Sequence, residues 1–149
     1  MPSYTRGGGQ RKPFGSNEYL RSTAGVKKES YTFSSASLPT ETLDGVVQKV
    51  LLPGEVLAKI TSGAESGKVG VFQAGATDGR ADLANIVGIN DSWFPWQLME
   101  SDREVAATYV ATVTQAWCTE RNAAGARVTL SNTTIDAMRN VKGLDITAK

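Results

Sequence analysis

"GKVGVFQAGATDGRADLANIVGI", residues 67–89, sets two short apolar runs, VGVF and ANIVGI, on either side of a connector rich in Gly, Ala and Asp. Apolar runs this short, bounded by glycine-containing turns, read as strands of a sheet rather than helix. In the connector, Asp78-Gly79 supplies the left-handed backbone that a tight reversal needs. No catalytic group stands out in the stretch, so its ordered backbone reads as scaffold.

The same pattern extends in both directions. Upstream, "GVVQKVLLPGEVLAKI" (45–60) places β-branched residues around a Pro53-Gly54 turn, with Val56, Ala58 and Ile60 on one face. This predicts strands near 46–51 and 55–60. Downstream, "REVAATYVATVTQAW" (103–117) carries Val105, Ala107, Tyr109, Ala111, Val113 and Trp117 at odd positions, with threonines opposite. That period predicts one long half-buried strand, with room for a bulge. "SNTTIDAMRNVKG" (131–143) is the one persuasive helix. Thr133 and Asp136 have capping-box spacing, Ile135, Met138 and Val141 form a stripe, and Gly143 suits a left-handed end. "LDI" then reads as a last short strand.

Composition fits this reading. The chain has 149 residues, enough for one domain with a real core. Its 15 glycines point to many turns, and its 40% apolar content is ordinary for a folded soluble protein. Formal net charge is only +1, yet residues 1–30 hold six Lys or Arg against two Glu. That first segment, with five glycines and two prolines, cannot bury enough apolar surface to offset its ordering entropy. It reads as a flexible basic arm (1–30), followed by an extended connector (31–45) and a β-rich body (46–149).

Several chemistries lack material. There is no histidine and a single cysteine, Cys118, so an internal disulfide, a His-based metal site and the Ser/His/Asp and Cys/His schemes are excluded. "GAESGKV" (63–69) resembles a phosphate-binding loop, but its Gly63-to-Gly67 spacing is one residue short. Val69 stands where a magnesium-binding Ser or Thr belongs, and a strand follows where a helix must open. It reads as a hairpin turn. The carboxylates of Asp78, Asp82, Asp91, Glu100, Asp102 and Glu104 lack the spacing of a calcium loop and read as turn caps and a solvated rim. No cofactor, metal or catalytic residue is expected. The N-terminus lacks a signal-like apolar segment and no run could span a bilayer, so the chain reads as unsecreted and free of membrane.

What remains is surface for partners. "NDSWFPWQL" (90–98) concentrates Trp93, Phe94 and Trp96 around Pro95, as a core plug, a subunit interface or, less simply, a platform on which sugars stack. In the arm, Tyr4, Arg6, Arg11, Lys12, Phe14, Tyr19 and Arg21 combine charge with isolated aromatics. Without repeated aromatics or an accompanying nucleic-acid-binding fold, lining a protein partner is favoured over nucleic acid.

The segment "LLPGEVLAKITSGAESGKVGVFQAGATDGRADLANIVGI" (51–89) resembles the core of the bacteriophage lambda head decoration protein family. The resemblance is carried by Pro53-Gly54, Gly67-Lys68, Thr77-Asp78-Gly79 and Val87-Gly88-Ile89, and by "TTIDAMRNVKGLDI" (133–146) as a closing helix and Gly-led strand. It implies a mainly β, compact β-sandwich or β-tulip-like fold with one short C-terminal helix and an extended N-terminal arm. It implies a homotrimer on the outer surface of an icosahedral virion, cementing the major capsid protein's expanded shell after synthesis in the host cytoplasm. The arm here is longer and more basic than a short family tail, and "WFPWQLMESD" (93–102) stands as an insertion.

Overall fold

A computed structural model of the protein describes residues 19–141 and 143–149. In chain order its strands are β1 (Leu20–Phe33), β2 (Glu41–Leu43), β3 (Val46–Gln48), β4 (Val56–Lys59), β5 (Val69–Val71), β6 (Ile86–Asn90), β7 (Arg103–Val113), β8 (Thr119–Arg121) and β9 (Arg127–Thr129). Helix α1 (Asn132–Asn140) and β10 (Asp145–Ala148) follow. The architecture is mainly β with one short C-terminal helix, as the sequence pattern predicts.

The quoted stretch forms the middle of the main sheet. β4 and β5 are a hairpin closed by the 61–68 turn, where Ile60 N–H reaches Lys68 O and Gly67 N–H reaches Ile60 O. Asp78-Gly79 makes the next reversal: Asp78 O accepts from Thr61 N–H, and the Asp78 carboxylate accepts from the Arg80 backbone and guanidinium. Neighbouring strands run β1-β5-β4-β6-β7, and β7 pairs with β1 again, closing the order into a ring. β10 joins parallel to β7 on the edge that β6 leaves free, opposite Val110 to Val113. Two small hairpins, β2–β3 and β8–β9, stand outside this sheet.

Alternation along the ring strands divides the apolar residues between two clusters. One draws on every ring strand, through Phe33, Leu57, Val69, Val71, Val87 and Val105. The other gathers Val56, Ala58, Ile86, Ile89 and Val113 under Ile135 and Met138 of α1 and Ile146 of β10. Two glycines permit the close packing. Gly54, second in the Pro-Gly turn, has φ +94°, and a Cβ there would lie 2.6 Å from Trp117 O. Gly88, at φ +147°, lets β6 pass against the Thr108 carbonyl of β7 where a Cβ would collide.

The structure redraws four sequence boundaries. Residues 20–30 are not arm: they belong to β1, which pairs antiparallel with β7 from Leu20↔Val113 to Phe33↔Arg103. The 31–45 connector contains the end of β1 and all of β2. The long strand stops at Val113, because a 3-10 turn at Gln115–Trp117 redirects the chain and leaves Trp117 55% exposed. The helix is capped two residues earlier than its spacing suggests. Ser131 Oγ accepts from Thr134 N–H, while Ile135 and Met138 are buried as expected.

Candidate interaction surface

The aromatic segment is held at its base and open at its crest. Asn90, fully buried, donates to Leu52 O (2.9 Å) and Ser92 O (2.7 Å) and accepts from Ser92 N–H, which turns the chain out of β6. Phe94 then exchanges two backbone hydrogen bonds with Leu51, at 2.9 and 3.1 Å. Leu98 is buried in the ring cluster. Between these anchors Trp93 and Phe94 are half-buried, Trp96 is 41% exposed and Met99 is 48% exposed. The core-plug reading of Trp96 is therefore corrected. Leu98 and Phe94, on either side of it, pack into the ring cluster while Trp96 stays exposed.

A few residues before Leu51 in the chain stands the β2–β3 hairpin. Its turn residues Asp44 (φ 51°) and Gly45 (φ 80°) both take left-handed backbone, the pattern of a two-residue turn matched to strand twist. Val46 and Val47, adjacent in a strand and so directed to opposite faces, are 54% and 55% exposed. The isolated antiparallel Leu51–Phe94 bridge ties the base of the loop to the chain that follows the hairpin.

The base of the hairpin is clamped by charge. Glu41 is bridged by Arg127 of β9 at 2.8 Å, and Arg127 also donates to Val50 O at 2.7 Å. Arg127 continues to Glu55 (3.4 Å), whose carboxylate accepts from Arg121 (2.9 Å) and from Leu52 N–H (2.8 Å). Glu55 and Arg121 are 1% and 3% exposed, and Arg121 also donates to Gly125 O. A second cluster lies at the foot of the aromatic loop. Lys68 bridges Glu65 and Asp102, each at 2.6 Å, and Asp102 also accepts from Ser35 N–H. The Lys68 ammonium, then the Ser35 backbone donor, hold the Asp102 carboxyl down at about 2.

The residues assigned to a capsid-contacting arm divide. Tyr4, Arg6, Arg11, Lys12 and Phe14 lie outside the described residues. Arg21 is exposed on β1. Tyr19 is corrected to a core residue, 2% exposed, with its hydroxyl donating to Asp91 (2.6 Å) and sharing a hydrogen bond with Thr108 (2.9 Å). Burial, then the Asp91 hydrogen bond, raises its phenol far above the ordinary value. Asp91 also receives Lys28 at 2.7 Å. Pro53, Gly54, Asp78 and Gly79 form the turns expected of them.

Most of the carboxylates weighed for chemistry have structural tasks: Asp82 caps a 3-10 turn, Asp78 holds Arg80, Asp91 receives Tyr19, and Glu100 meets Arg103. Among the described residues no group of three or more His, Cys, Asp or Glu is placed to hold a metal ion. Cys118 is buried and burial pushes its thiol up to about 12. No described helix is long and apolar enough to cross a membrane.

Sequence reasoning missed the hairpin and the Glu55–Arg121 pair. For the hairpin a signal was present, Asp44-Gly45 between "TL" and "VV", which is the strongest short-range mark of a two-residue hairpin. The ion pair joins residues 66 apart and has no local signature. Comparison of the chain with known protein families, curated proteins and solved structures found no match.

Proposed function

We propose that the chain is a capsid decoration protein: a structural cement that binds the outer surface of an icosahedral phage head as homotrimers at local threefold positions. It acts without catalysis or cofactor, and its partners are the major capsid protein and its own copies. One observation carries the reading. The quoted motifs occupy successive parts of one sheet, with Pro53-Gly54 leading into β4, Gly67-Lys68 into β5, Thr77-Asp78-Gly79 turning before β6, and Val87-Gly88-Ile89 within β6. The finer β-tulip-like assignment belongs to the same proposal. The exposed Trp96, Met99, Val46 and Val47 supply apolar surface of the kind that anchors protein contacts.

The test mixes purified protein with expanded shells that lack it. Saturable co-sedimentation, density at the local threefolds and a raised bursting temperature in light scattering are expected. Absence of binding, or equal bursting temperatures with and without the protein, refutes the cement role. A second reading, a virion-displayed module that stacks glycans, draws on the exposure of Trp96 beside half-buried Trp93. Glycan-array binding by the isolated protein, lost in Trp96→Ala, distinguishes it.

A further inference from the structure

β1 is held along one edge. From Leu20 to Phe33 it pairs with β7, whereas β5 meets it at a single register position, Phe33↔Val69. Along residues 20–32 its outer edge is met by no other described strand, and residues 21–25 and 27–30 are exposed on both faces. A strand edge left in water is a template for another strand, because its outward N–H and C=O groups have no ladder partner.

The neighbours fix which backbone groups point outward. Ser34 N–H reaches Val69 O of β5 at 2.9 Å, on the edge away from β7. Alternation along the strand turns the N–H and C=O of Lys28, Ser30 and Thr32 the same way. β7 agrees: Ala106, opposite Ser30, gives its carbonyl to Asp91 N–H on its far edge and not to β1. Before Lys27 the strand bulges, since residues 23–26 stand against Ala111 alone and Gly25 takes φ +70°. That bulge and β5 at Phe33 confine a docked strand to the run between them.

Side chains of this run name the occupant. Lys27 has no ion-pair partner among the described residues, and the Glu29 carboxylate meets the Tyr31 hydroxyl of its own strand at 3.1 Å. Lys28, between them, is neutralised by Asp91 at 2.7 Å. Two copies related by a twofold axis through Lys28, normal to the sheet, run antiparallel with Lys27 of each opposite Glu29 of the other. Opposite residues of antiparallel strands share a face, so both pairs are in contact. Moving the axis by one residue sets Lys27 against Lys27 or Glu29 against Glu29, so charge selects this register.

We propose that β1 is a self-pairing edge: a second copy docks antiparallel on it, centred on Lys28, with two Lys27–Glu29 pairs and reciprocal hydrogen bonds between the Lys28 backbone groups. The contact closes as a pair and leaves the remaining surface free, so it is independent of the decoration reading and compatible with a threefold contact elsewhere.

The test uses the full-length chain in solution, without shells. A ladder this short buries little area, so sedimentation velocity is followed from about 10 to 500 μM, the range of a weak complex. A monomer–dimer equilibrium is expected. Lys27→Glu and Glu29→Lys, both at exposed positions, should each weaken it by at least about tenfold, because each turns two attractive pairs into two repulsive ones. The swap Lys27→Glu/Glu29→Lys restores opposite charges across the axis and should return the dimer to within about threefold of the native affinity. Ser30→Pro removes an outward N–H without touching a β7 bond and should also weaken the dimer. Amide exchange followed by NMR locates the contact: protection at Lys28 and Ser30 should rise with protein concentration, while Glu29 and Tyr31, whose groups face β7, should not change. A chain that stays monomeric across that range, a dimer indifferent to both single charge changes, or a swap that recovers nothing overturns the proposal. Exchange at Lys28 and Ser30 that ignores concentration does so as well, since it places any dimer on another surface.

Discussion

Replacing Arg121 by Met should destabilise the protein far more than replacing Arg121 and Glu55 together. In the native fold the Glu55 carboxylate, 1% exposed, is met by Arg121 at 2.9 Å, Arg127 at 3.4 Å and the Leu52 amide at 2.8 Å. Arg121→Met removes the shortest of the charged contacts and the bond to Gly125 O, and leaves a carboxylate out of water with its more distant guanidinium. Stranding one partner of a buried ion pair costs about 3–5 kcal/mol, because desolvation is no longer offset. For a chain of this size that corresponds to a fall in Tm of roughly 6–20 °C. Glu55→Met/Arg121→Met removes both charges from the interior and leaves Arg127 paired with Glu41 at 2.8 Å. Apolar replacement of a whole pair is often near neutral, so the double variant should recover most of the loss, to within ~2 kcal/mol of the native protein. Thermal and urea unfolding followed by far-ultraviolet circular dichroism measures both. A single variant costing under ~1 kcal/mol, or a double variant no more stable than the single, refutes the account of Glu55 as a desolvated charge held by Arg121.

Trp96→Ala should change stability by less than ~1 kcal/mol, since the ring is already half in water, yet reduce shell occupancy in co-sedimentation, whereas Leu98→Ala two residues on should cost about 2–5 kcal/mol in a melt. Gly88→Ala should cost ~2–4 kcal/mol, because it combines an unfavourable backbone with a clash against the Thr108 carbonyl, and a native-like melting curve would contradict the β6–β7 contact. Asp102 is held below its unfolded value, so its contribution to stability is present above pH ~4 and is lost as pH falls through about 2. Urea midpoints for the native chain and Asp102→Asn should therefore differ at pH 6 and converge near pH 2.

Legibility in the sequence followed the range of the forces involved. β4, β5, β6, most of β7, α1 and β10 announce themselves through period-2 or helical spacing, because each packs one or both faces on apolar neighbours. β1 does not. "LRSTAGVKKESYTF" buries only Phe33 fully, and its strand conformation comes from the edge of β7, whose paired residues lie about eighty positions away. Tyr19 reads as one more aromatic in a polar segment, yet its burial is fixed by Asp91 and Thr108, at separations of 72 and 89 residues. Trp117 fails in the opposite sense, since its position extends the β7 alternation but a turn intervenes before it. The aromatic segment was legible as a cluster of rings, to be read as core plug or subunit interface. That Trp96 is the most exposed of its three rings had no local signature, and neither did the Leu51–Phe94 bridge at its base.

The antiparallel zipper between β1 and β7 also has a mechanical meaning. Tension applied ahead of Tyr19 would enter the folded body at the Val113 end of a ladder that is irregular between Leu20 and Lys28 and regular from Lys28↔Thr108 to Phe33↔Arg103. When that pull is aligned with β1, the strand must slide along β7, so the hydrogen bonds of the regular 28–33 segment share the load instead of failing one after another. The bond from Tyr19 to Asp91 sits at the point of entry and resists the first displacement. Force applied ahead of Tyr19 would thus be carried in shear into the β7 backbone, on whose other edge β6 and β10 pair.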